Sequence, residues 1–99
     1  MNSIEFIQKW FASQCNGDWE HNVGVKIETL DNPGWSVSVN LKGTPLEGIA
    51  FMPVEEERTD EDWVMCRIEE DCFEGCGGVG NLMEILEVFQ RFASNNHEL

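Results

Sequence analysis

Basic side chains are scarce in this 99-residue sequence: six Lys and Arg stand against 19 Asp and Glu, a formal net charge of −13. That shortage argues against nucleic acid and anionic membrane as partners, because both are bound largely by neutralising phosphates or acidic headgroups. A basic protein is the natural complement to so much negative charge on so small a fold. Long hydrophobic runs are also missing. No stretch approaches the length of a bilayer span, and Met1-Asn2-Ser3-Ile4-Glu5-Phe6 has neither the basic start nor the apolar stretch of a signal peptide, so the expected location is the cytoplasm. Histidine occurs only as His21 and His97, without paired ligand spacing, and the acidic stretch lacks the alternating oxygen ligands and central glycine of a calcium loop. Neither a metal nor any other cofactor is expected. Repeats and linkers are lacking as well, and the length suits one domain over residues 1–99.

The 41% apolar content includes six Phe and four Trp, which supplies the burial that disordered acidic chains lack. Cys15, Cys66, Cys72 and Cys76 could pair on paper, but a reducing compartment and a chain with its own core point to free thiols.

Periodicity outlines the elements. Ile4, Ile7, Phe11 and Cys15 form a helical stripe with Phe6 and Trp10 beside it, Asn2 and Glu5 suit its start, and Asn16-Gly17 its end, which predicts a helix over about Ser3 to Cys15. Val23, Val25 and Ile27 alternate with Gly24, Lys26 and Glu28, predicting a strand with one buried face. Asp31-Asn32-Pro33-Gly34 reads as a type II turn into a second strand, where Trp35, Val37, Val39 and Leu41 alternate with polar residues. Ile49 to Met52 suggests a third, less regular strand that Pro53 would restrict to an edge or an end, and Asp62 to Glu70 a fourth, with Phe73 near its end. Gly75, Gly77, Gly78 and Gly80 read as a flexible connection to a second helix, which Asn81 and Glu84 would cap before Leu82, Ile85, Leu86, Phe89, Phe92 and Ala93. Ser94 to Leu99 reads as a polar tail. The expected fold is α+β: a four-stranded antiparallel sheet flanked by N- and C-terminal helices packed on one face.

Negative charge is concentrated. Glu55, Glu56, Glu57, Asp60, Glu61, Asp62, Glu69, Glu70, Asp71 and Glu74 are opposed within that stretch only by Arg58 and Arg67, and Trp63 lies among them. An aromatic flanked by carboxylates has the make-up of a desolvated anchor surrounded by steering charge. Nucleases expose Arg and Lys to hold phosphates, so an acidic protein can occupy such a site by copying the substrate's charge.

The run Trp10-Phe11-Ala12-Ser13-Gln14-Cys15-Asn16-Gly17-Asp18-Trp19-Glu20-His21, with Val25 to Trp35, resembles the immunity protein 53 family of bacterial polymorphic toxin systems. Asp62-Trp63, Cys66-Arg67, Gly77-Gly78, Asn81-Leu82 and Ile85-Leu86 are also similar to that family, so the resemblance covers nearly the whole chain. It implies a cytoplasmic antidote that binds a cognate toxin domain. Gly17, Pro33 and Gly34 suit cap and turn geometry, and Trp10 and Trp35 suit the core. Asp18, Trp19, Glu20 and His21 lie in a connecting segment and stand as candidates either to contact the toxin or to brace the turn.

The leading expectation is a stoichiometric inhibitor without catalytic residues, steered by its acidic segment and anchored by Trp63 or Trp19, with a basic toxin domain, a nuclease among the candidates, as partner. The alternative is a thiol-dependent, sulfurtransferase-like enzyme using Cys76 or Cys72, since Cys76-Gly77-Gly78-Val79-Gly80 precedes a helix whose N–H groups could stabilise a thiolate. No Lys or Arg lies in that loop, and Glu74 would oppose the thiolate.

Overall fold

The computed structural model describes residues 2–22 and 24–96; Val23, expected to begin the first strand, and His97, Glu98 and Leu99 of the expected tail lie outside the described residues. Helix α1 spans Ser3–Gln14, with the Asn2 side chain accepting from the Glu5 N–H at 2.8 Å. The stripe it buries is rotated from the expected one. Ser3 and Ile7 are buried, and Phe6 and Trp10 pack on the core, whereas Ile4, Phe11 and Cys15 are exposed. The partner helix decides this: Phe6 and Trp10 reach the Phe89 ring at centroid distances of 6.4 and 5.0 Å, and Ser3 Oγ donates to Gln90 Oε1 at 2.7 Å. Two aromatic rings bury more apolar area than Ile4 and a cysteine would.

A 3₁₀ turn at Trp19–His21 leads to β1, Val25–Leu30, which pairs antiparallel with β2, Gly34–Asn40. The connection is not a type II turn. The Asn32–Pro33 peptide is cis, and Gly34 already belongs to β2, where a Cβ would strike the Gly77 carbonyl oxygen. As a sheet edge, β1 gains little cover, and Ile27 is 41% exposed instead of buried.

Two further corrections concern the sheet. Residues 49–52 form no strand; Ile49 and Phe51 pack on the core from an irregular segment, and the edge strand β3 follows Pro53 as Val54–Glu57. Among the described residues the sheet has five strands, not four. Beyond β4, Trp63–Glu69, the chain reverses and returns as β5, Cys72–Gly77, so Phe73 opens a new strand and two of the expected linker glycines lie inside it. Glu70 and Asp71 make the reversal with φ of 52° and 61°, the two left-handed residues of a type I′ hairpin. All pairings are antiparallel in the order β1-β2-β5-β4-β3, which puts β5 at the centre.

Gly75 and Gly77 give β5 a smooth inner face. A Cβ on Gly75 would lie 2.5 Å from Ile85 Cγ2, so their absence of side chain lets helix α2, Leu82–Asn95, settle on the sheet. This helix runs through Ser94, into what was expected to be tail. Val37, Val39, Val64, Cys66 and Phe73 form the inner face of the sheet, and Ile7 with Ile85, Leu86, Phe89 and Phe92 covers it from both helices. Among the described residues no helix covers the opposite face.

Candidate partner-binding surface

Strand alternation determines what the uncovered face displays. With Val64 and Cys66 directed inward, Trp63, Met65 and Arg67 of β4 face outward beside Glu55 and Glu57 of β3 and Glu74 and Cys76 of β5. Glu57 is the direct cross-strand neighbour of Trp63, and Glu55 that of Met65. Such neighbours have Cβ atoms about 5 Å apart, close enough for carboxylate and aromatic groups to act on one ligand. A concavity of about 470 Å³ opens here, with Trp63, Met65, Glu55, Glu74 and Cys76 among its walls. A second, of about 240 Å³, is lined by Glu57, Thr59, Asp60 and Trp63. Trp63 stands between them.

This tryptophan differs from the other three. Trp19 donates its indole N–H to the Asn40 carbonyl at 3.1 Å, Trp35 donates to the Val79 carbonyl at 3.0 Å, and Trp10 meets Trp19 and Phe89 edge to face. Among the described residues, Trp63 has neither an indole hydrogen bond nor a ring contact. Its backbone, by contrast, is pinned on both sides: its carbonyl accepts from Gly78 N–H at 3.1 Å, and its N–H reaches Asn81 Oδ1 at 3.4 Å.

Charge on this face is uncompensated. Its cations are paired locally, Lys26 with Glu28 and Arg67 with Glu69, both at 2.8 Å. Glu55, Glu57, Asp60 and Glu61 have no ion-pair partner among the described residues. Glu56 points to the other side of β3 and meets Arg58 at 3.8 Å. Asp62 is structural: Arg58 forks onto it at 2.9 and 3.1 Å and onto Glu84 at 2.6 and 3.2 Å, while Asn81 Nδ2 donates to both carboxylates. These bonds hold Asp62 and Glu84 below their ordinary carboxyl pKa, with the Arg58 hydrogen bonds the chief cause. The knot ties the β3–β4 loop to the start of α2, and Asn81 joins it instead of capping the helix through its side chain.

The acidic segment is therefore not one surface. Glu69, Glu70 and Asp71 sit at the far end of β4 from Trp63, roughly 20 Å away at 3.3 Å per residue. The Asp18–His21 segment also divides. Trp19 is 6% exposed and wedged against Trp10, and the Glu20 carboxylate accepts from the Asn16 and Gly17 N–H groups at 2.9 and 2.7 Å; its own backbone N–H first, then these two, lower its pKa. Only Asp18 and His21 of this segment are exposed. Met65 and Glu84 were not among the residues picked from sequence. Outward alternation with Trp63 indicates Met65; Glu84 is marked in the sequence only as a helix-capping partner of Asn81, and its bond to Arg58 depends on the fold.

The cysteines occupy unrelated places. Cys76 lies within β5 and not at the start of α2, so it has no helix N-terminus to stabilise a thiolate. Burial, together with Glu74, Asp71 and Glu70, raises the Cys72 thiol, and burial pushes Cys66 up to about 12. All four are free. Among the described residues, no three His, Cys, Asp or Glu come together to hold a metal, and no helix is long and apolar enough to cross a membrane.

A comparison with family models matches residues 4–94 to the one described as immunity protein 53. The chain belongs to the immunity protein 53 family. No curated protein and no solved structure matches it. The family's name describes an immunity protein, a role defined by binding a toxin, and the match spans every strand and nearly all of both helices.

Proposed function

We propose that this member of the immunity protein 53 family neutralises a cognate toxin domain by stoichiometric binding in the cytoplasm, and that the toxin presents a basic surface, as a nuclease would. One observation carries the reading: the face of the sheet left bare by both helices holds carboxylates without an ion-pair partner among the described residues, around a tryptophan whose ring has neither a hydrogen bond nor a ring contact among them. Uncompensated charge of one sign speeds encounter with the opposite sign by roughly 10–10³-fold at low salt. A ring carried on a hydrogen-bonded strand needs no ordering of its backbone on contact, which reduces the entropy lost on binding.

The same geometry favours inhibition over thiol chemistry. Cys72 sits among carboxylates that oppose thiolate formation, and Cys76 lacks the helix terminus that would have activated it. The test takes the neighbouring reading frame as the source of a candidate toxin domain and pairs that domain with the chain. We expect a one-to-one complex and protection of toxin-expressing cells, both retained when Cys72 and Cys76 are replaced by serine. Glu55→Lys with Glu57→Lys should slow association and flatten its salt dependence, whereas Glu56→Lys, on the other side of the strand, should do so less. Loss of protection in the well-folded cysteine variant would reject inhibition in favour of the thiol reading.

A further inference from the structure

We infer that the notch on the bare sheet face, formed by the two concavities that share Trp63 as a wall, takes a single arginine side chain of the toxin domain, with the guanidinium held between the Trp63 ring and the Glu55 and Glu57 carboxylates. The inference rests on the immunity reading above and specifies what the surface recognises. Three observations on this face lead to it. The concavity of about 470 Å³ has Glu55, Trp63 and Met65 in its walls and the one of about 240 Å³ has Glu57 and Trp63, so an apolar lining suited to the methylene stem of a long side chain is bordered by a carboxylate in each. Glu55 and Glu57 are cross-strand neighbours of those same two residues, so negative charge lies beside the apolar lining and not merely near it. Arg67, in the wall of the larger concavity, already has its charge met by Glu69 at 2.8 Å, which leaves both glutamates and the indole without a cation among the described residues.

The chemistry selects arginine over lysine. A guanidinium is planar, more weakly hydrated than an ammonium, and able to stack on an aromatic ring while its edge donates to carboxylates. Cations over indole rings gain most when desolvated, as the centre of an interface provides. A lysine could use the charge but not the stacking, and an apolar side chain would leave the glutamates desolvated without a partner. Met65 is 38% exposed and unbranched, so it can adapt to the stem.

Two experiments test this on the whole chain. In the first, N-acetyl-L-argininamide, N-acetyl-L-lysinamide and N-acetyl-L-norleucinamide are titrated while amide and indole resonances are followed. Saturable shifts at the Trp63 indole, Met65 and Cys76, larger and tighter with the arginine compound and lost in Glu55→Gln/Glu57→Gln, are expected. Equal responses to the arginine and lysine compounds, or shifts spread without focus over all the carboxylates, overturn the assignment. In the second, Trp63→Ala should weaken the toxin domain's affinity by at least about 30-fold, the scale of an interface hot spot. Met65→Lys should weaken it comparably, with unfolding curves confirming that both variants fold. A double-mutant cycle should couple Trp63→Ala to the alanine replacement of one toxin arginine. If the wild-type chain fails to bind the toxin domain, the immunity reading fails, and the titrations still judge the notch. If the wild-type chain binds and both variants bind equally well, the notch is wrong and the immunity reading stands.

Discussion

Adding one methyl group at Gly75 should destabilise the protein, and the structure supplies the magnitude. The new Cβ would lie 2.5 Å from Ile85 Cγ2, 3.3 Å from Phe73 and 3.4 Å from Cys66, all in the core. Ordinary carbon contacts are near 3.5–4.0 Å, so Ile85, which is fully buried, would have to retreat by roughly 1 Å. Overpacking of this kind costs about 1–3 kcal/mol. Restricting the unfolded chain returns about 0.4–1 kcal/mol, leaving a net loss of about 1–2 kcal/mol. For a chain of this size that is a fall in Tm of roughly 5–15 °C, measurable by urea and thermal unfolding. Gly80→Ala is the control, because a Cβ there meets nothing within 4 Å, and it should be neutral or slightly stabilising. Ile85→Ala with Gly75→Ala should be less destabilised than the two single changes added together, by about 1 kcal/mol, since the new methyl occupies space the isoleucine vacates. If Gly75→Ala matches Gly80→Ala, β5 is not held against α2 as described.

Arg58→Gln should remove a pH-dependent part of the stability. Asp62 and Glu84 have depressed folded-state pKa values, so their contribution is present above their ordinary values of 3.8 and 4.5 and is lost as pH falls through the lower folded values. The stability gap between wild type and variant should therefore be widest near neutrality and close in acid; a gap independent of pH would refute the linkage. Glu70→Asn with Asp71→Gly should stabilise the β4–β5 hairpin by about 1 kcal/mol in urea unfolding, because each present residue holds a left-handed conformation that Asn and Gly adopt more readily. Trp19→Phe should cost about 1–3 kcal/mol by stranding the Asn40 carbonyl, yet leave toxin affinity unchanged. Weakened affinity with unchanged stability would instead place Trp19 in the interface.

Both helices and β2 were readable because their apolar spacing is strong and each buries a face. The fifth strand was not, for two physical reasons. Its entry turn is built from Glu70 and Asp71, residues that seldom signal a hairpin, and its interior glycines look like a linker unless the helix lying on them is known. β3 escaped notice because an edge strand of one valine and three glutamates has no buried alternation to detect. At the candidate site, composition indicated Trp63 and its acidic neighbours. It could not separate Glu55 and Glu57 from Glu56, or show that Asp62 is tied to Arg58, because those distinctions depend on pairing register and on a contact with a helix two strands later in the chain.

The three glutamates of β3 also bear on how the protein behaves when its partner is absent. An outermost strand exposes unsatisfied N–H and C=O groups that can template another chain, the usual route to edge-to-edge aggregation. For two copies joined antiparallel along this strand, carboxylates would face carboxylates across the new seam, an arrangement that like-charge repulsion disfavours. Replacing Glu55, Glu56 and Glu57 with neutral residues should therefore lower the concentration at which the free protein self-associates.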